Sequence, residues 1–131
     1  MQLPAPIDDH IDHVAREIVD CAYRVHTALG PGLLESAYET CLCHELTKRG
    51  LRARGQVPIP ILYDGIRLES GFRLDLLIEE EIVVELKAVD KLIPLHEAQI
   101  LTYLRLSKRR LGLLMNFNVT RIKDGIRRFV L

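Results

Sequence analysis

Asp75, Glu85 and Lys87 stand in the stretch RLDLLIEEEIVVELKAV, residues 73–89. Its apolar runs read as a buried strand, an acidic turn and a second buried strand. A carboxylate among such residues is costly to bury unless something compensates its charge. Two converging carboxylates offer hard oxygens, which suit Mg²⁺ or Mn²⁺. A lysine beside them can hold an attacking water or stabilise charge developing on a phosphate. The alternative is an ordinary ion-paired sheet surface, because acid-x-Lys is a short and common pattern.

The choice depends on register. Strand side chains alternate, so Arg73, Asp75 and Leu77 are expected on one face, as are Val83, Glu85 and Lys87. A turn of Glu79, Glu80 and Glu81 sets Ile78 opposite Ile82 and Asp75 opposite Glu85. A turn of only Glu80 and Glu81 sets Asp75 opposite Leu86 and sends the acids to opposite sides.

Two further segments carry polar groups in line. In GPGLLESAYE, Glu35 shares a helical line with Tyr38, Leu42 and Leu46, which aims it toward the sheet. Its plain role is to stabilise the start of a helix. In LHEAQILTYLR, His96, Gln99 and Tyr103 share one face of an otherwise apolar helix. They line a site or form a hydrogen-bonded seam beneath the sheet.

The elements that must position these groups follow from periodicity. Asp8 or Asp9 caps a first helix whose stripe is Ile11, Val14, Ile18, Cys21, Val25 and Leu29, ended by Gly30-Pro31-Gly32. A second helix runs from about Leu33 to Arg49, with Leu34, Tyr38, Cys41, Leu42 and Leu46 on its buried line. The period then becomes two. Pro58 and Pro60 place the first strand at a sheet edge, and Asp64-Gly65 turns it into the next. Strands are expected from about Ile66 to Ile78 and from Ile82 to Val89. A third helix runs from Pro94 to about Lys108, apolar on several sides. Leu111 to Phe117 reads as a central strand, and Ile126 to Val130 as the last. The order ααβββαββ predicts an α/β (α+β) fold: one domain over 1–131, a mixed sheet flanked by helices.

Composition narrows the function. The chain has 131 residues, 48% hydrophobic and 27% charged, with a formal net charge of zero. That argues against a protein that coats nucleic acid through overall charge, though not against a local basic patch. Three cysteines without a CxxC pair favour neither a disulfide framework nor a structural zinc site, and point to a reducing, cytoplasmic setting. No apolar run is long enough to span a bilayer, and the N-terminus lacks a basic-then-apolar signal region.

Taken together, Asp75, Glu85-Leu86-Lys87 and Gln99-Ile100-Leu101-Thr102-Tyr103, in this order along helices and strands, resemble the PD-(D/E)XK nuclease superfamily. Gly32-Leu33-Leu34-Glu35-Ser36-Ala37-Tyr38 resembles the signature of its GxxExxY family of small single-domain proteins. The likeness extends through QVPIPILYDG, FRLDLLIE, VELKAVDKL, HEAQILTYLRL, GLLMNFN and DGIRR. The resemblance implies a restriction-endonuclease-like core. Asp75 and Glu85 would bind Mg²⁺ or Mn²⁺ with the Leu86 backbone carbonyl, Glu35 would complete the metal site, and Lys87 would be the catalytic lysine. Gln99 and Tyr103 would place DNA or the lysine, with His96 and Tyr38 lining the same site.

The expected function is metal-dependent hydrolysis of phosphodiesters, in DNA before RNA, with little sequence preference. A catalytically silent module that binds nucleic acid or protein is the alternative. Lys48-Arg49 with Arg52 and Arg54, Lys108-Arg109-Arg110, and Arg127-Arg128 are candidate backbone contacts. Each is also what a solvated surface run looks like. Aliphatic content and edge strands make a homodimer an expectation.

Overall fold

Asp8 starts the first helix by accepting the His10 amide at 2.8 Å in the computed structural model, which describes residues 3–131. Helix α1 (Asp9–Leu29) buries Val14, Ile18, Cys21 and Val25 and stops where Gly30 turns to positive φ. Helix α2 (Glu35–Lys48) buries Tyr38, Leu42 and Leu46. Leu34, expected on that line, precedes the helix in extended backbone and is 77% exposed.

Five strands follow: β1 (Ala53–Tyr63), β2 (Ile66–Ile78), β3 (Ile82–Lys87), β4 (Leu111–Asn116) and β5 (Ile126–Val130), with helix α3 (Pro94–Ser107) between β3 and β4. They form one sheet in the order β1-β2-β3-β4-β5. Only β3 and β4 run parallel, and α3 supplies the crossover that a parallel pair requires. The order ααβββαββ expected from the sequence is the observed one. β1 is indeed an edge strand. β4 lies inside the sheet with every residue buried.

The core lies mainly between the sheet and α1–α2, where Leu76, Ile78, Ile82, Val84 and Leu86 meet Ile18, Cys21, Tyr38 and Leu42. α3 covers the other face through Ile100 and Leu104. Its Leu95 and Ala98 are exposed, so this helix buries one side rather than several. The reason is architectural, since α3 is the outermost layer on its face.

Candidate active site

The β2–β3 turn contains all three glutamates, because Ile78 pairs with Ile82. Glu79 and Glu80 adopt positive φ, a conformation that costs a side-chain-bearing residue on the order of 1 kcal/mol. Their partners offset it. Glu79 accepts the Arg52 amide at 2.8 Å, and Glu80 holds the Arg54 guanidinium at 2.7 and 3.0 Å.

That register carries Asp75 and Glu85 opposite each other, yet backbone pairing of β2 with β3 ends one step earlier, at Leu76 and Val84. Side chains take over the missing bonds. The Asp75 amide donates to Glu85 Oε1 at 3.1 Å, and the Leu86 amide donates to Asp75 Oδ2 at 2.9 Å. Each carboxylate thus closes the gap where the strands part. The alternation also breaks here. Leu74 and Leu77, three apart, join the same cluster under α3, while Leu76 belongs to the opposite core. Arg73, Asp75 and Leu77 therefore do not follow the simple two-residue pattern read from sequence.

Glu85 is only 4% exposed. Burial, then the like charge of Asp75, pushes its carboxyl up to about 8. The Asp75 backbone bond and the nearby Lys87 oppose that rise, but burial dominates.

Lys87, two residues on, points to the α3 side. Its Nζ donates to Gln99 Oε1 at 3.1 Å, and Gln99 Nε2 donates to the Tyr103 hydroxyl at 2.9 Å. Tyr103 stacks on Phe72 with ring centroids 4.5 Å apart. Burial, and then the negative charge of Glu85, raises the Tyr103 hydroxyl above its ordinary range. The end of β3 is clamped from behind. Asn116 is buried and exchanges hydrogen bonds with both backbone groups of Val89, and the Phe117 amide donates to the Lys87 carbonyl at 2.9 Å. Gly125 lets the chain pass this clamp, since a Cβ there would sit 2.1 Å from the Asn116 carbonyl oxygen. Asn116 was not singled out from sequence.

A second residue escaped the sequence reading. Glu39 lies one turn beyond Glu35 on α2, and its carboxyl is raised by burial and by the charges of Asp75 and Glu35. Gln56 Nε2 donates to Glu39 Oε1 at 2.9 Å. Gln56 falls opposite Asp75, between the pairs Gly55–Leu76 and Val57–Leu74, and has φ 51° in the middle of a strand. Both strands are irregular at one step, the step that carries Asp75. Glu35 itself is exposed at the start of α2, outside the core that its helical line reaches only from Tyr38 onward.

A profile of the PD-(D/E)XK nuclease superfamily matches residues 12–129. The chain belongs to this superfamily. Its mixed five-stranded sheet and three helices are consistent with the restriction-endonuclease-like fold of PD-(D/E)XK proteins. No curated protein and no solved structure matches the chain.

PD-(D/E)XK nucleases usually use divalent metal ions, and the donor chemistry fits one. Asp75 and Glu85 each spend one oxygen on a backbone amide, leaving Asp75 Oδ1 and Glu85 Oε2 outside those bonds. Among the described residues no group of three or more His, Cys, Asp and Glu side chains forms a metal cage. Two carboxylates suffice for Mg²⁺, which usually keeps several waters.

Two residues expected at this PD-(D/E)XK site are engaged elsewhere. Tyr38 is fully buried, stacks on Phe117, donates to the Gly30 carbonyl at 2.7 Å and accepts the Leu33 amide at 3.1 Å. It braces the loop ahead of Glu35 and does not line the site. His96 Nδ1 accepts the Ile93 amide at 3.1 Å and caps α3.

The basic runs are largely committed within the protein. Lys48 pairs with Glu45, Arg49 with Asp20, Arg54 with Glu80, Arg127 with Glu97 and Arg128 with Asp12. Arg109 and Arg110 donate to backbone carbonyls. Among the described residues Arg73 and Lys91, close in sequence to Asp75 and Lys87, form no ion pair. Both are exposed. Burial raises the Cys21 and Cys43 thiols, the wrong direction for a nucleophile. A hollow of about 650 Å³ lined by Pro6, Asp8, Glu81, Lys108 and Arg109 lies at the other end of β3.

Proposed function

We propose that the protein is a Mg²⁺- or Mn²⁺-dependent nuclease of the GxxExxY family that hydrolyses phosphodiester bonds in DNA with little sequence preference. The observation that carries this is the Asp75–Glu85 pair at the parting of β2 and β3, with Lys87 held beside it by Gln99. Asp75 and Glu85 would hold the cation, with the Leu86 carbonyl as a further ligand. The bound ion would supply an acidified water and neutralise phosphate charge. Lys87 contributes a fixed positive charge beside the reacting phosphate, and its bond to Gln99 keeps it from collapsing onto Glu85. Tyr103 and Phe72 hold Gln99 in turn. Glu39, on the α2 side, adds negative charge near Asp75 without completing a three-carboxylate cage. Glu35 remains an outer acid that acts through Glu39. Arg73 and Lys91 receive the nucleic-acid backbone.

We further propose one domain over residues 1–131, acting in the reducing cytoplasm, which suits its three free cysteines. No helix among the described residues is long and apolar enough to cross a membrane. The test compares wild type, Asp75→Ala and Lys87→Ala on duplex, single-stranded and branched DNA and on RNA, at low salt with Mn²⁺ or Mg²⁺. Cleavage by wild type alone supports the reading. Equal activity in all three proteins marks a contaminant. Binding without cleavage by wild type moves the reading to a silent nucleic-acid-binding module.

A further inference from the structure

β3 and β4 run parallel and end together, Lys87 beside Asn116. In open sheets ligands bind in the crevice beyond the carboxyl ends of parallel strands. Lys87 goes to the α3 side of that edge. On the α1 side, the chain beyond β4 meets the end of α1 around a hollow of about 490 Å³, the size of an ordinary small-ligand site. Its two walls are fixed to each other. His26, in the last turn of α1 and buried, donates through Nε2 to the Val119 carbonyl at 2.8 Å. Phe117 starts the opposite wall. Its ring lies 6.3 Å from that of His26, centroid to centroid, and its amide holds the Lys87 carbonyl.

The lining carries one sign of charge. Arg121 and Lys123 line the hollow with the hydroxyl-bearing Thr27 and Thr120, and no carboxylate lines it. Buried Ile122 roots the two exposed cations from between them. Among the described residues Lys123 forms no ion pair. Arg121 meets Asp124 at 3.7 Å, a looser contact than the 2.7 Å pairs of Arg54 and Arg127. Both of its partners are largely exposed, so the pair contributes little. The larger hollow at the other end of β3 sets Asp8 and Glu81 against Lys108 and Arg109, so charge selects no ligand there. Tyr23 adds an aromatic face. It stands one helical turn before His26 and Thr27, lines the same hollow and is 40% exposed. Among the described residues its ring stacks on no other, whereas Tyr38 and Tyr103 are each taken by a phenylalanine.

We propose that this hollow holds one unpaired nucleotide of the strand that the Asp75–Glu85 site cuts, with Tyr23 stacked on its base and Arg121 and Lys123 on its phosphate. The proposal rests on the nuclease reading, which says which strand is bound. Two cations without a lining carboxylate select an anion. An aromatic face beside them selects an anion that carries a base. Tyr23 is fixed on a helix, so it meets the face of a base only when that base has left a duplex stack. The substrate class is therefore DNA with a single-stranded stretch beside the cut: a free strand, a frayed end or a branch. Stacking tolerates any base, which agrees with cutting of little sequence preference.

Fluorescence anisotropy of end-labelled, mixed-sequence oligodeoxynucleotides tests this on the full chain, in chelator so that nothing is cut. Wild type should bind a single strand more tightly than the blunt duplex of the same sequence. Tyr23→Leu should weaken single-strand binding about tenfold at an unchanged salt slope and leave the duplex as it was. Lys123→Ala should reduce the single-strand salt slope of log K by about 0.7. A bromouracil-substituted single strand, irradiated with wild-type protein, should cross-link at Tyr23, a readout that needs no variant. Wild type that binds no single strand or binds both forms equally, binding indifferent to Tyr23 and Lys123, or cross-links only elsewhere would each overturn the proposal. The nuclease reading fails separately. Tyr23-dependent binding by a wild type that cuts no DNA with Mg²⁺ or Mn²⁺ keeps the nucleotide site and removes the nuclease. Cleavage by wild type with binding indifferent to Tyr23 does the reverse.

Discussion

Lys87 Nζ and Gln99 Oε1 lie 3.1 Å apart, and that bond ties the strand carrying Glu85 to the helix behind it. Lys87 is also electrostatically drawn to Glu85. Without Gln99, the ammonium should fold toward the carboxylate and lose its place beside the phosphate.

Gln99→Ala should therefore lower DNA cleavage about tenfold, roughly 1.4 kcal/mol in the barrier, with little change in melting temperature. Lys87 is only half-buried, so solvent can replace the lost bond in the folded protein. Parallel melting curves and single-turnover rates decide the point. A large stability loss with unchanged binding and rate would make the line a structural seam.

The elevated Glu85 carboxyl makes apo stability fall with pH. Its ordinary value is 4.5 and its folded value about 8. Between these the folded state keeps a proton that the unfolded state has released. Stability is therefore greatest below 4.5, declines as pH rises through 8 and then levels. Urea midpoints with a chelator at pH 5, 7 and 9 should show the decline. Glu85→Gln should flatten it, because it keeps the shape without the charge. An apo midpoint that rises across this range would count against a buried acid pair.

The same coupling predicts how metal acts. A cation must displace the Glu85 proton, so Mg²⁺ or Mn²⁺ should raise the melting temperature more at pH 8 than at pH 6. Asp75→Asn should abolish that increment, whereas Lys87→Ala should keep most of it. Calorimetry should register one proton released on binding near neutral pH. No thermal shift with millimolar metal in wild type would remove the main support for a metal enzyme.

Gln56 separates backbone strain from function. Its positive φ is unfavourable for a side-chain-bearing residue and easy for glycine. Gln56→Gly should leave stability unchanged or raise it by up to about 1 kcal/mol while releasing Glu39. Cleavage should then drop, and Glu39→Gln should reproduce the drop. If Gln56→Gly cleaves like wild type, Glu39 is a surface acid with no part in the site.

The order of elements was legible because long apolar periods and turn residues are local signals. The register was legible once the turn was taken as three glutamates, since Ile78 and Ile82 each need burial. What stayed hidden is non-local. Sequence alternation put Asp75 beside Leu77, but the strands part there, and only the folded sheet shows amides bonded to carboxylates instead of carbonyls. Glu39 was overlooked although Leu42 and Leu46 follow it at i+3 and i+7, because its tie to Gln56 is a contact between elements distant in the chain. A non-glycine residue at positive φ leaves no mark in the sequence. Tyr38 fitted a site-lining pattern equally well as a core pattern, and its two backbone partners, Gly30 and Leu33, settle it as core. The basic runs looked available because most of their acidic partners are distant in the chain, as Glu97 is for Arg127, 30 residues away.

Those ion pairs lead to the last prediction, which concerns where the nucleic acid lies. A cation already paired with a carboxylate must break that pair to meet a phosphate, so its net gain is small. Arg54, Arg127 and Arg128 are in that position. Arg73 and Lys91 are exposed, carry no ion pair among the described residues and flank the Asp75–Lys87 site in sequence. They can exchange water and counterions for phosphate directly. Arg73→Ala or Lys91→Ala should weaken DNA binding across all sequences and reduce the salt slope of log K by about 1 each. Arg127→Ala and Arg54→Ala should leave that slope unchanged. Binding titrations of catalytically inactive Lys87→Ala protein at several salt concentrations would measure it without cutting. A slope that responds to Arg54 or Arg127 but ignores Arg73 and Lys91 would move the nucleic acid to another face of the molecule, away from the paired acids.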